Sequence, residues 1–147
     1  MSMIINKFAK REYQITDTWV AGMMLTGAEV KTIRGGRGSL RGAFVRLISG
    51  ELYLVGADIP QYSHFAGQVY DAKRSRKLLM KANEIMKISQ KIEGKSLTLV
   101  PLKIFIKGRW VKCEIGLGKG KREWEKREDI KKRDNEREMA KAIRNKV

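Results

Sequence analysis

Cysteine is nearly absent from this 147-residue chain: Cys113 is the only one. One thiol cannot form an internal disulfide, and no thiolate cluster is available to hold a metal, so a reducing compartment is expected. Histidine is equally scarce. His64 stands alone, without the company a metal site needs, and reads as a polar surface group. Long apolar runs are also missing. The N-terminal MSMIINKFAKRE has too short an apolar stretch for a signal peptide. No segment approaches the ~20 apolar residues that cross a bilayer. A soluble, cytoplasmic protein without a membrane partner is expected. Ser39, Ser63 and Ser96 have no triad context, and GGRGSLRG, residues 35–42, lacks the G-K-[ST] of a phosphate-binding loop. No reaction centre, cofactor site or metal set is visible, so a non-enzymatic role is expected.

Acidic residues are few relative to basic ones. The chain carries 32 Lys and Arg against 16 Asp and Glu, a net charge of +16. Such an excess argues for a polyanionic partner, nucleic acid before an anionic membrane surface. Evenly spread solvating charge is the alternative. The length suggests one domain plus an appendage, and a domain of this size buries roughly two thirds of its unfolded surface, enough for a real core.

What is present divides at residue 118. Residues 11–25 read as two short strands, with Trp19, Ala21, Met23 and Leu25 on one face. Thr26 and Glu29 form a capping box that opens a helix over 27–34, and Gly35 offers a left-handed exit. Residues 43–57 read as a hairpin turning at Ser49-Gly50. Residues 60–77 have no period and read as a long loop. Asn83 opens a second helix with Ile85, Ile88 and Ile92 on one face, stopped by Gly94. In LTLVPLKIFI the apolar parity slips at Val100-Pro101, which predicts a bulge or barrel corner. A turn at Lys107-Gly108 follows, and Val111, Cys113, Ile115 and Leu117 face inward. About six short strands with embedded short helices suggest a mainly β protein, a small OB-fold-like barrel over residues 1–118.

Residues 119–147 differ in kind. They carry 12 basic and 7 acidic residues and few apolar ones. Helix formers abound, and Glu123–Arg127, Glu128–Lys132 and Asp129–Arg133 are i,i+4 pairs worth roughly 0.3–0.5 kcal/mol each. An isolated helix of this length is marginal in water. This arm is expected to be disordered when free and helical when held by a partner; a solvated extension is the alternative.

Within the loop 60–77, Tyr62, His64, Phe65 and Tyr70 lie among Lys73, Arg74, Arg76 and Lys77. Rings stack unpaired bases and cations neutralise phosphates, the usual equipment for irregular RNA. The same rings would also serve to cover a barrel end. Arg37 and Arg41 are candidate phosphate contacts on a loop that reads equally as a plain connection. Trp110, beside a turn, reads as core. Trp124, set among charges in the arm, reads either as a base-stacking residue or as a contact of the arm's first turn with the barrel.

INKFAKREYQI, LTGAEVKTIRGG, RKLLMK, GKSLTLVPLKIFIKGRWVKCEIGLGKGK and WEKREDIKKRDNERE occur in that order. On these stretches, from about Asn6 to Arg144, the sequence resembles the SmpB family, the SsrA-binding proteins that partner transfer-messenger RNA in bacteria. The resemblance implies an OB-type barrel with a basic tail, acting as a monomer. It implies binding to the tRNA-like domain of transfer-messenger RNA and delivery to ribosomes stalled on an mRNA without a stop codon. The tail would fold in the empty mRNA channel against small-subunit RNA of the decoding site. The RNA-binding surface implied comprises Asn6, Tyr13, Glu29, Lys31, Leu79 and Lys112, with Glu29 also claimed by its capping box. Lys119, Gly120 and Lys121 would hinge the tail, and Trp124, Glu125, Lys126 and Arg127 would form the decoding-site segment. Departures from the family pattern are Val20 in place of a frequent Glu, Lys81 of Asn or His, Trp124 of His or Tyr, and Glu125 of Asp; GRGSLRGAF is a loose match. A general single-strand RNA binder or ribosomal protein remains the alternative function.

Overall fold

A computed structural model describes residues 3–62 and 70–121, together with Arg127, Lys131 and Arg137. Seven strands and three helices occur within residues 3–62 and 70–121. The strands are β1 (Met3–Ile5), β2 (Tyr13–Met23), β3 (Phe44–Ile48), β4 (Glu51–Val55), β5 (Arg76–Leu79), β6 (Thr98–Lys107) and β7 (Trp110–Gly120). The helices are α1 (Ala9–Glu12), α2 (Gly27–Arg34) and α3 (Ala82–Ile92).

All strand pairs are antiparallel, in the order β1-β6-β3-β4-β5-β2-β7, and β6 also pairs with β7. That last pairing closes a six-stranded ring and leaves β1 as an extra strand on β6. Closure removes the ring's exposed edges. The alternating apolar residues of each strand then point to one interior. Ala21, Val45, Leu52, Leu54, Leu78, Leu99, Ile104, Cys113, Ile115 and Leu117 are all buried there. Ile33 of α2 and Ile88 of α3 are completely covered and belong to the same cluster.

The corner expected at Val100-Pro101 is present. The β6–β7 register shifts between Pro101 and Lys103, leaving Leu102 as the extra residue. Pro101 has no N–H to offer a ladder, so the slip falls where a bond could not form anyway. The bend divides β6: its first part meets β3 at Val45↔Leu99, and its second part meets β1. The β3–β4 turn is also where it was read, with Ser49 at φ 50 and Gly50 at φ 77, the two positive dihedrals a tight two-residue hairpin requires.

Several expectations are corrected. Residues 11–25 do not form two strands: α1 ends at Glu12 and one long strand, β2, follows. Its register shifts between Ile15 and Asp17. The left-handed residue after α2 is Gly36 (φ 75), while Gly35 sits at φ −76. The loop 60–77 ends in strand β5, whose short, charge-led sequence Arg76–Leu79 hid it. Trp110 is not core; it is 66% exposed. Val111 faces inward, so its neighbour on a strand must face outward.

β7 runs through Lys119 and Gly120, which pair with Gln14 and Tyr13. Lys121 still donates its N–H to the Glu12 carbonyl at 2.9 Å. The barrel's ladder therefore continues past residue 118, and Lys119 and Gly120 are strand residues. Arg127, Lys131 and Arg137 are helical and exposed. The other expectations about the arm, including Trp124, Glu125 and Lys126, and those for Ser63, His64 and Phe65, lie outside the described residues.

Cys113 is fully buried between Lys112 and Glu114 on β7. Burial pushes its thiol pKa up to about 12, with the Glu114 charge adding in the same direction. Thiol reagents are expected to leave the folded protein unmodified at neutral pH and to react fully in denaturant. Rapid labelling of native protein would show that the β7 interior opens.

Candidate nucleic-acid interface

The sequence-derived residues fall into three places. The first is built on Glu29, which has no exposed surface. Its carboxylate accepts the Thr26 N–H at 3.0 Å while the Thr26 hydroxyl accepts the Glu29 N–H at 3.2 Å, completing the capping box. The same carboxylate accepts Nε of Arg76 at 2.8 Å and pairs with the Arg74 guanidinium. Arg76, also without exposed surface, donates Nη1 to the carbonyls of Ala57 (2.8 Å) and Ala72 (2.9 Å). Burial by itself raises the Glu29 pKa; the hydrogen bonds from Thr26, Arg76 and Arg74 outweigh it, and the net shift is downward from 4.5.

These two side chains are therefore corrected from RNA contacts to internal supports, because a completely covered carboxylate and guanidinium reach no ligand. Their effect is positional. They clamp both ends of the 60–77 segment onto α2, helped by Thr32, which donates to the Pro60 carbonyl at 3.1 Å. Left at the surface are Arg74, whose side chain is 40% exposed, and Lys31, whose ammonium lies 5.5 Å from the centre of the Tyr62 ring. Arg37 is exposed on the glycine-rich connection after α2.

A lowered folded-state pKa means the unfolded chain binds the proton more readily. Stability from Glu29 is then fully present above about pH 4.5 and is lost as pH falls through its lower folded value. Urea unfolding between about pH 6 and about pH 3 should show wild type losing stability in that window. Glu29→Gln should be less stable throughout and lose less over the same interval. Parallel pH curves for the two proteins would remove Glu29 as the cause.

The second place is the outer face of β5, β2 and β7. Gly22 pairs with Leu79 on one side and Lys112 on the other. Leu79 is 46% exposed, and Gly22, having no side chain, leaves a low point between an apolar residue and a cation. Val20 is exposed on the same face opposite Glu114, whose carboxylate lies 3.4 Å from Lys103 Nζ.

The third place is the N-terminal end. Asn6 is half-buried at the β6 corner: Nδ2 donates to the Pro101 carbonyl at 2.9 Å, and its N–H donates to the bulged Leu102 carbonyl at 2.8 Å. Its Oδ1 accepts the Phe8 N–H at 3.2 Å. Both ends of the amide are committed to the backbone, so Asn6 braces the corner and sets Phe8. Tyr13 begins β2 opposite Gly120. Beside it Lys121 Nζ donates to the Lys10 carbonyl at 2.9 Å, so the arm leaves the barrel from this end. Sequence reading missed Trp110, which the inward parity of Val111 would have placed outside. It also missed Phe8 and Phe44, whose exposure no local pattern announced.

A closed, strongly basic small barrel carrying cations and rings on several outer faces is of the OB-like nucleic-acid-binding class. Among the described residues no group of three or more His, Cys, Asp or Glu is placed to hold a metal, and no helix is long and apolar enough to cross a membrane. The family model described as SmpB protein matches residues 3–145. The chain belongs to the SmpB family. The SsrA-binding protein of Gloeobacter violaceus is 44% identical over 142 residues, 97% of this chain and 93% of its own length. That of Salinispora arenicola is 47% identical over 137 residues, 93% of this chain and 86% of its own. A solved chain described by the words "tmRNA-SmpB: a journey to the center of the bacterial ribosome" is 39% identical, with a TM-score of 0.70 over 84% of this chain and 87% of that one.

Proposed function

We propose that this protein is a non-enzymatic adaptor that binds the tRNA-like domain of transfer-messenger RNA and delivers it to stalled ribosomes for trans-translation. The observation that carries this is the match to the SmpB family along residues 3–145, with relatives named SsrA-binding protein over nearly the whole chain. The chemistry agrees with it. A net charge of +16 suits a polyanion, and Lys31, Arg37, Arg74, Leu79 and Lys112 are all at least partly exposed. The barrel grips RNA; the arm, with Trp124, Glu125, Lys126 and Arg127, enters the decoding site and mRNA channel.

Filter binding of the full chain to the tRNA-like fragment tests the reading. Affinity should fall about a thousandfold or more between about 50 and about 200 mM salt, because each neutralised phosphate releases counterions. An unstructured RNA of equal length should bind far more weakly under the same conditions. Equal affinity for the two would convert the protein into a general single-strand binder.

A further inference from the structure

A cleft of about 550 Å³ lies at the N-terminal end of the barrel. Its walls include Phe8, Arg11, Tyr13, Arg41, Phe44 and Thr98. They come from the N-terminus of α1, α1 itself, the start of β2, the loop before β3, the start of β3 and the start of β6. Three rings and two guanidinium groups thus meet in one concavity, although the sequence places them in two separate stretches, residues 8–13 and 41–44. We infer that this cleft is a nucleotide subsite: it takes one unpaired base of a bound RNA between its rings, with Arg11 and Arg41 on the flanking phosphates. The inference rests on the RNA-binding reading above and adds a place and a ligand to it.

Four observations carry it. The volume lies within the range typical of small-ligand sites, about 300–1,000 Å³. Phe8 and Phe44 remain 37% and 38% exposed, although large aromatic side chains gain from burial; rings left open in a concave, cationic site suit stacking with a base. The walls are held in place. Asn6 fixes the Phe8 backbone. The Arg41 N–H donates to the Ser39 hydroxyl at 3.2 Å, and Ser39 is bridged to Asp58 by two backbone hydrogen bonds of 2.8 and 2.9 Å. Leu40, next to Arg41, is buried. Finally, the Arg41 guanidinium lies 5.2 Å from the centre of the Phe8 ring, so a cation already sits where a phosphate beside a stacked base would need one.

Occupancy by the chain itself is the competing arrangement. Lys121 is bonded to Lys10 and Glu12 on the cleft's rim, and three further residues reach at most about 11 Å, which brings Trp124 within range. The test therefore uses both the full chain and a chain ending at Lys121. The probe is a short unstructured oligoribonucleotide with a central 2-aminopurine, whose fluorescence falls on stacking. Wild type should quench it saturably. Phe8→Ala and Phe44→Ala should each weaken binding about tenfold or more, the usual size for one stacking contact. Arg41→Gln should lower the salt slope by about one. Continued protection of Cys113 from thiol reagents shows that each variant is folded; for a variant that is not, Phe44→Leu, which keeps the apolar volume without the ring, should give the same loss of quenching.

Unchanged quenching in folded ring variants overturns the subsite. Quenching that appears only after truncation at Lys121 also overturns it and gives the cleft to Trp124. Neither result touches the adaptor reading, which is judged separately by affinity for the tRNA-like fragment. If the subsite holds, crosslinking with 4-thiouridine in transfer-messenger RNA, and separately in ribosomal RNA, identifies which RNA supplies the base.

Discussion

A chain ending at Lys121 should bind the tRNA-like fragment within a few-fold of the full protein and support no tagging of stalled peptides in a purified translation system. The expectation follows from where the charge lies. Residues 122–147 hold 10 basic and 7 acidic residues, so their removal leaves +13 of the +16 in place. Phosphate neutralisation, which scales with the cations in contact, stays with the barrel. The cut is placed at Lys121 because β7 continues to Gly120 and Lys121 is tied to Glu12 and Lys10; a cut two residues earlier would damage the barrel end as well. Trp124→Ala should follow the same division, losing tagging rather than affinity. Tagging by the truncated chain would end the proposed role of the arm, and loss of RNA binding would show that the arm is part of the grip.

Arg76→Ala should lower unfolding stability by about 3–5 kcal/mol, because it strands the covered Glu29 carboxylate without its main partner. That is a large fraction of the roughly 5–15 kcal/mol that holds a domain together. Two further bonds fall with it, those to the carbonyls of Ala57 and Ala72. Arg74→Ala is the control. Its side chain pairs with the same carboxylate but is 40% exposed, and an exposed partner is worth about 1 kcal/mol or less. Urea denaturation followed by circular dichroism separates the two. Equal, small losses would mean that Glu29 relaxes to water when Arg76 is gone and that the clamp on the 60–77 segment is weak. RNA affinity should fall in Arg76→Ala even where the protein is still folded, since Arg74, Lys31 and Tyr62 are then held less firmly.

Local signals carried much of the architecture. The capping box on Thr26, the hairpin at Ser49-Gly50, the apolar face of α3 and the slip at Pro101 each depend on residues a few positions apart, and each is found where it was read. The misreadings have a common cause. β5 is four residues long and begins with a charge, so alternation had nothing to work on; it exists because β4 and β2 hydrogen-bond to it from either side. Arg76 looked like a surface cation in a basic loop. It is buried because its partner lies 47 residues away, on α2. The resemblance to a family brought Glu29 to notice as an RNA contact, while the capping spacing gave it a duty to the backbone of α2; that duty is present, and the burial that accompanies it comes from Arg76 across the fold.

The sequence by itself determined the kind of protein: its charge excess, its run of short strands and its family stretches are all properties of the chain order. Only the tertiary structure decided which cations and rings are exposed and which are covered. Burial and proximity are set by pairings such as Val45↔Leu99 and Ile104↔Cys113, which close the ring and bring Phe8, Tyr13 and Phe44 together while drawing Glu29 and Arg76 inside. A one-residue bulge reverses the side a residue faces, so exposure depends on contacts made across the barrel and not on neighbours along the chain.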